Sequence, residues 1–515
     1  MAGIEVIVIC STLLFLYYLS TLLAYGLWDL PGPTLAKVSN LWRLIEAWKG
    51  HQELALQDLH RKHGKLVQIG PNVISITDPD AIETIYGIKM DLPKSDFFKV
   101  MQNYSNGRII PTLVAATDQN IHRRLRKPVG HILSMSTLVQ LEPGIDETIR
   151  DFVQQLAKIY AETHSSCDIH DWLRYFAFDA ISRISFSRPF GFIEHCRDID
   201  NTFKDQDKNT KYMAIVGQMP WLDRLLRKNP LIRQLPPSLN PFSSASRFVA
   251  RAGRIFSQRM ADEKTGKGAD YHDITSRILD VKRANPDQIP DEAVIGYNLT
   301  FLIAGSDTVS IALRTVIYHL AKYPSMQQKL QAEIDTAKLT YPVAWKAAQH
   351  LLYLDAVIKE ALRIHPPTSV LLERIVPPAG LLLPNGRHLK PGTIVCMNPW
   401  TLSMDEDIFG KDASDFNPDR WLKAQNESED AFQERLKTMK RADLVWGYGP
   451  RSCLGKPIAL LEIYKLVPTL FGLFDMGLAK PEREWRYWSY FIASQYDMDV
   501  KIRWRKGADR SVLGR

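Results

Sequence analysis

The sequence predicts a mostly α-helical fold with a minor β portion. Three observations carry that prediction. Beyond Asp80 the apolar residues recur mostly at helical spacing for several hundred residues. Two stretches, Pro290–Tyr323 and Leu351–Ile364, are long, apolar and almost free of breakers. Strand-like alternation is confined to short pieces.

Size and composition narrow the class. The chain has 515 residues, and 65 lysines and arginines against 57 acids give a net charge of +8. With 45% hydrophobic residues it is neither disordered nor a polytopic membrane protein. The 30 prolines and 28 glycines follow no period, which excludes collagen-like and low-complexity chains. No block of lysine or arginine concentrates the basic excess, so no nucleic-acid partner is expected. A mildly basic body suits an anionic membrane surface or an acidic partner. The five cysteines, Cys10, Cys167, Cys196, Cys396 and Cys453, are odd in number and widely spaced. That argues against a disulfide framework or a CxxC zinc site, and for a reducing compartment.

Taken in order, the elements begin with an apolar run from Val6 to Tyr25, long enough to span the ~30 Å hydrocarbon layer. Met1–Glu5 carries no lysine or arginine and no good small-x-small cleavage site follows, so an anchor is expected rather than a signal peptide. Lys37, Arg43 and Lys49 then place the body on the cytosolic side. Pro31-Gly32-Pro33 stiffens the exit. The expected organisation is a transmembrane anchor over 1–28, a proline-containing hinge over 29–50, and a catalytic body over 51–515. Leu66–Gly70 and Val73–Thr77 read as a hairpin around Pro71-Asn72. Met213–Leu235, with Met219, Trp221, Leu225, Leu226 and Ile232 among basic residues, reads either as a lid dipping into the bilayer or as an ordinary surface helix pair. Pro290-Asp291-Glu292 starts the long helix, which is apolar on most faces and so is a buried central helix. Pro366-Pro367 ends the second helix. Short strands follow at Leu381–Leu383 and Thr393–Met397, then a polar insertion over Asn426–Lys440, and a last helix from near Pro457.

The sharpest chemical signal is the decamer Trp446-Gly447-Tyr448-Gly449-Pro450-Arg451-Ser452-Cys453-Leu454-Gly455. Gly449 and Gly455 allow backbone to pass close to a flat ligand. Backbone N–H groups at the start of the following helix favour a thiolate at Cys453. Such a thiolate is suited to be an axial ligand of haem iron, and Arg451 to pair with a cofactor carboxylate. A turn around a buried structural cysteine is the bland alternative.

The decamer resembles the haem-binding loop Phe-x-x-Gly-x-Arg-x-Cys-x-Gly of the cytochrome P-450 monooxygenases. Gly449, Arg451, Cys453 and Gly455 match, and Trp446 stands where the family usually has phenylalanine. Further matches follow the family's order. Ala304-Gly305-Ser306-Asp307-Thr308 looks like its oxygen-activation segment. A glycine there costs about 1 kcal/mol relative to alanine, and a local widening of the helix is expected. Asp307 and Thr308 are the implied catalytic residues, relaying protons and bonding iron-bound oxygen; a threonine bonding its own backbone is the alternative. Glu360 and Arg363 share a helix face and match the family's Glu-x-x-Arg pair. Arg420, in Phe416-Asn417-Pro418-Asp419-Arg420-Trp421, is the implied third member of that structural network. His122 stands where the family often has tryptophan, and with Arg126 and Arg374 it is implied to contact haem propionates.

The resemblance implies the cytochrome P-450 fold, with the long central helix over haem b (iron protoporphyrin IX). Cys453 is the implied iron ligand. By family position Phe97, Phe98, Phe301, Leu302, Val370 and Phe491 face the substrate. All are apolar, which implies a hydrophobic small molecule oriented by few polar contacts. The implied partners are O2, a separate NADPH-cytochrome P-450 reductase docked on basic residues, and the lipid bilayer of the endoplasmic reticulum. The pattern is similar to pisatin-demethylase-like fungal enzymes of secondary metabolism. Two rivals stand beside this reading: a haem-thiolate isomerase or dehydratase acting without O2, and a haem-free membrane-anchored scaffold.

Overall fold

The computed structural model describes residues 24–510 except 91, 106–107, 111, 237–238, 241, 243–244 and 268–270, together with Glu5, Thr12, Leu16 and Ser20. The expected membrane anchor, Val6–Tyr25, lies almost wholly outside the described residues. Among the described residues one helical stretch, Ala293–Lys322, is long and apolar enough to cross a membrane, and most of it is buried in the core.

That stretch belongs to the central helix, Asp291–Lys322, which Pro290 precedes and Pro324 follows, as the sequence predicts. Its most extensive partner is the helix Ile169–Phe186, nearly every residue of which is buried. Gly305 makes this close approach possible. A Cβ there would sit 3.2 Å from Ile181 Cγ1, tighter than ordinary packing. Lys456–Leu473, the helix that starts just past Cys453, also packs on the central helix. Leu352–Ile364, the predicted second helix, completes this core with Leu354, Val357, Ile358 and Ala361 turned inward.

The minor β portion lies to one side. Leu66–Gly70 and Val73–Ile76 form the predicted hairpin, with an irregularity between Gln68 and Gly70. Val73–Ile76 then pairs in parallel with Ile394–Cys396, which pairs antiparallel with Arg374–Ile375. Both faces of this sheet are covered, so Val73–Ile76 is buried at every position, Ser75 included. Near the C-terminus, Arg486–Ser489 and Ala493–Tyr496 form a second hairpin. Phe474–Leu478, Asp499–Trp504 and Ser166–Asp168 form a three-stranded sheet.

The polar stretch Asn426–Lys440 holds a helix, Glu429–Arg441, capped by the Ser428 hydroxyl on the Ala431 N–H. The region Met213–Leu235 comprises the end of the helix Thr202–Val216 and the short helices Trp221–Leu225 and Pro230–Gln234. Trp221, Leu225 and Leu231 are more than half exposed there.

Candidate active site

Cys453 follows a tight turn. Gly449 has φ +59°, and a Cβ on it would collide with the Tyr86 carbonyl. Only glycine fits, and the neighbour that demands it is protein backbone rather than a flat ligand. Gly455, at φ −85°, is under no such pressure: a Cβ there would lie 4.0 Å from the Cys453 sulfur. The Cys453 N–H donates to the Trp446 carbonyl at 2.7 Å and closes the loop. Its thiol reaches solvent, although protein crowds it closely. Burial pushes the thiol's pKa up; the amides of Gly455 and Lys456 and the charge of Arg126 pull the other way. The expected amide stabilisation of a thiolate is therefore present, while burial prevails in the free thiol.

Helix Gln119–Arg126 is stapled to this loop from both sides. Asp118 caps it through the Ile121 N–H at 2.8 Å. Arg126 donates to the Ser452 carbonyl at 2.8 Å. In return Arg451 donates to the Ala116 carbonyl at 2.8 Å and to Gln119 Oε1 at 2.6 Å. His122 is buried on the inner face, and its pKa falls to about 3, first through burial and then through Arg451, Lys94, Arg126 and Arg374. It is neutral. Arg374 lies over the Tyr86 ring at 4.9 Å and bridges in β fashion to Lys94.

Lys94 escaped the sequence reading. Its ammonium donates to the Val114 carbonyl at 2.8 Å and sits 4.1 Å above the Phe98 ring. Burial, Arg374 and Arg451 all work against its charge and hold its pKa well below the usual range. The available signal was a single lysine between Leu92-Pro93 and the Phe97-Phe98 pair. Cations forced together in this way favour an anion beside them. A reachable thiol, flanking amides and this cationic cluster fit a haem with two carboxylates.

On the central helix, Ile303 (42% exposed) and Ala304 are exposed and Thr308 is half-buried, although Leu302, Ser306 and Val309 are fully buried. One stripe of a core helix therefore faces open space. The helix is unbroken α through Ala304–Thr308, so the expected widening is absent. Gly305 serves the contact with Ile181 instead, and the Thr308 hydroxyl donates to the Ala304 carbonyl at 2.7 Å. Asp307, one turn past Ile303, is buried beneath a neighbouring helix. Its Oδ1 accepts from Arg174 Nε at 3.0 Å, and Arg174 also grips Asp207 at 3.0 Å. Burial raises the Asp307 pKa against the pull of Arg174. Arg174 was also missed; a lone arginine between Leu173 and Tyr175 on an apolar helix was its signal.

Glu360 is fully buried and fully paired. Arg363 meets both its oxygens at 2.8 and 2.9 Å, Arg420 Nε and the Asn417 N–H meet Oε1, and Trp421 Nε1 meets Oε2, each at 2.9 Å. The carbonyls of Ser403 and Ala413 take up Arg363, and Asp412 takes up Arg420.

Four of the expected substrate-facing residues come together. Phe97, Phe98, Val370 and Phe491 form one cluster with Met101, and the Phe97 and Phe491 rings stack at 6.4 Å. Phe301 and Leu302 lie apart, within the main core. Each residue turns the helix by ~100°, so Ile303 and Ala304, not Leu302, reach the open stripe.

The comparisons agree with this architecture. A family model described as "Cytochrome P450" matches residues 30–486. The cytochrome P450 monooxygenase vrtE of Penicillium aethiopicum is 37% identical over 96% of this chain and 93% of its own length. The cytochrome P450 monooxygenases cicH and pkfB of Emericella nidulans are 37% and 34% identical over 93% and 99% of this chain, and over 94% and 98% of their own. Likeness of this extent reaches every segment that builds the site, and the chain accordingly belongs to the cytochrome P450 family, as an enzyme of its monooxygenase class.

Proposed function

We propose that this monooxygenase inserts one oxygen atom of O2 into a hydrophobic small molecule, with haem b held by Cys453. The observation that carries this reading is Cys453 itself, reachable and flanked by the amides of Gly455 and Lys456, at the start of a helix packed on the central helix. When bound, haem supplies the redox-active iron that activates dioxygen, and a thiolate ligand favours O–O cleavage.

The chain's residues divide the remaining work. Arg126, Arg374, Arg451 and Lys94 hold the cofactor carboxylates, with neutral His122 as a hydrogen-bonding neighbour. Thr308 would present its hydroxyl on the open stripe and, on releasing the Ala304 carbonyl, would donate a proton there. Asp307 would supply that proton, and burial, which raises its pKa, favours its holding one. The Phe97, Phe98, Val370 and Phe491 cluster orients an apolar substrate and excludes water. Electrons come from NADPH through a separate reductase. The fungal relatives support a role in secondary-metabolite biosynthesis.

The body rests on the cytosolic face of the endoplasmic reticulum membrane. Two exposed apolar patches support this. Leu41, Ile45 and Trp48 are exposed at helical spacing on one helix, and Trp221, Leu225 and Leu231 are exposed on two short helices. Helix Thr202–Val216, which leads to the second patch, packs on helix Leu41–Lys49. Paired patches of this kind suit a bilayer surface.

The decisive experiment is the absorption spectrum of the reduced protein under carbon monoxide. A strongly red-shifted Soret band is expected, and Cys453→Ala should abolish it; a histidine-type band in the wild type refutes the ligand. Thr308→Ala should keep that band and uncouple oxygen consumption from product; unchanged coupling refutes the hydroxyl's role.

A further inference from the structure

Around Asp307 lies a cluster of buried polar atoms that satisfy one another poorly. Asp307 Oδ2 has no hydrogen-bond partner among the described residues, although Oδ1 is held by Arg174. Arg314, two turns further along the central helix, is 1% exposed, and its Nε and Nη2 are likewise unpartnered. So are His170 Nε2 and Gln495 Oε1. These side chains come from three elements packed together: the central helix, the helix Ile169–Phe186 and the strand Ala493–Tyr496. The Tyr496 ring lies tilted against His170 at 4.9 Å, and Gln495 Nε2 donates to the Ile311 carbonyl and to Thr315 Oγ1.

Buried donors and acceptors left unpaired cost too much to stay so, and ordered water is their usual partner. Donors on Arg314 and acceptors on Asp307 and Gln495 supply the several polar contacts that a buried water needs. The cluster also has a way out. His170 Nδ1 lies 3.0 Å from Asp171 Oδ1, and the Asp171 side chain is 49% exposed. Burial, then Arg314, hold the His170 pKa down at about 4, so the ring is neutral and carries one movable proton.

We propose that ordered water joins Asp307 Oδ2, Arg314 and His170 Nε2, and that protons reach Asp307 from the surface through Asp171 and His170. In each passage Asp171 takes a proton from solvent hydronium and hands it to His170 Nδ1 while Nε2–H releases one to the internal water, and a flip of the neutral ring restores the starting tautomer. That water protonates Asp307 Oδ2, which passes the proton on toward Thr308. Arg314 stays protonated and serves as a positioning residue, holding the water with its N–H groups. Arg174, itself gripped by Asp207, clamps the other carboxylate oxygen and keeps Oδ2 turned to the water. The inference rests on the reading of Asp307 as proton donor.

Two measurements test it. The first is a crystal structure of the holoenzyme at a resolution that shows water. Water within hydrogen-bond distance of Asp307 Oδ2 and Arg314 is expected; a dry contact, or a direct Asp307–Arg314 ion pair, overturns the proposal. The second is the solvent isotope effect on NADPH-driven oxygen uptake by the reductase-supplied holoenzyme. His170→Phe, which keeps a ring against Tyr496, and Arg314→Met are each compared with Asp307→Asn. Both should slow uptake on the order of 10-fold, short of the ~10²–10⁴-fold that a positioned acid or base contributes, and should shift the isotope effect in the same direction as Asp307→Asn. If Asp307→Asn shifts it and the other two leave it at the wild-type value, Asp307 keeps its role and this inlet falls. If Asp307→Asn itself changes nothing, the donor reading fails and the inlet with it. Should Arg314→Met fail to bind haem, His170→Phe and the water positions decide.

Discussion

At the scale of single residues, backbone geometry decides more than side-chain chemistry around Cys453. Gly449 sits at positive φ against the Tyr86 carbonyl. Gly449→Ala must move that carbonyl or leave the left-handed region, at a cost of about 1–3 kcal/mol. Partial loss of haem and a lowered melting temperature are expected; full occupancy with an unchanged melting point refutes the constraint. This demand was half legible. The pattern of glycines around the cysteine marked close approach, but one sequence does not say what approaches. Lys94 was illegible for a related reason. Its surroundings come from Arg374 and Arg451, hundreds of residues away, and pairing across that distance leaves no local pattern. Leu302 erred by one step of helical rotation, since a helix buried on nearly every side gives no amphipathic signal to fix its open stripe.

At the scale of elements, the Glu360 network ties the helix Leu352–Ile364 to the turn Pro418–Trp421. Both arginines lie in the interior, and Glu360 is the carboxylate they share. Glu360→Ala would leave two buried cations short of a counter-charge. Breaking a buried pair costs about 3–5 kcal/mol, so the denaturant midpoint should fall sharply and soluble haem-loaded protein should become scarce. Glu360→Gln keeps the shape and loses the charge, so it should be nearly as damaging; an unchanged midpoint in both variants would show that the network is ornamental. The two members three residues apart were readable from helix periodicity. Arg420 was placed by resemblance alone, because nothing in its spacing points to Glu360. The extra partners, Asn417 and Trp421, emerge only when the turn is folded.

At the scale of the whole molecule, the order of helices and the short hairpins followed the breakers and the hydrophobic periods, so the architecture was the most legible level. Proline at each end fixed the central helix to within a residue or two. The exposed apolar patches were less so. Trp48 and Trp221 lie far apart in the chain, and only the packing of Thr202–Val216 on Leu41–Lys49 brings their segments together. Protein lacking residues 1–28 should still sediment with anionic liposomes, and charged replacements at Trp221 and Leu225 should weaken that; a truncated body that stays wholly in the supernatant refutes the surface contact. The stacked Phe97 and Phe491, with Val370 beside them, have one more consequence. They stand on three separate chain segments, and none of them takes part in the hydrogen bonds of the Glu360 network or of the cysteine loop. Each is therefore free to drift under selection while the iron cradle is left undisturbed. Single substitutions can reshape this cluster without breaking a hydrogen bond of either network.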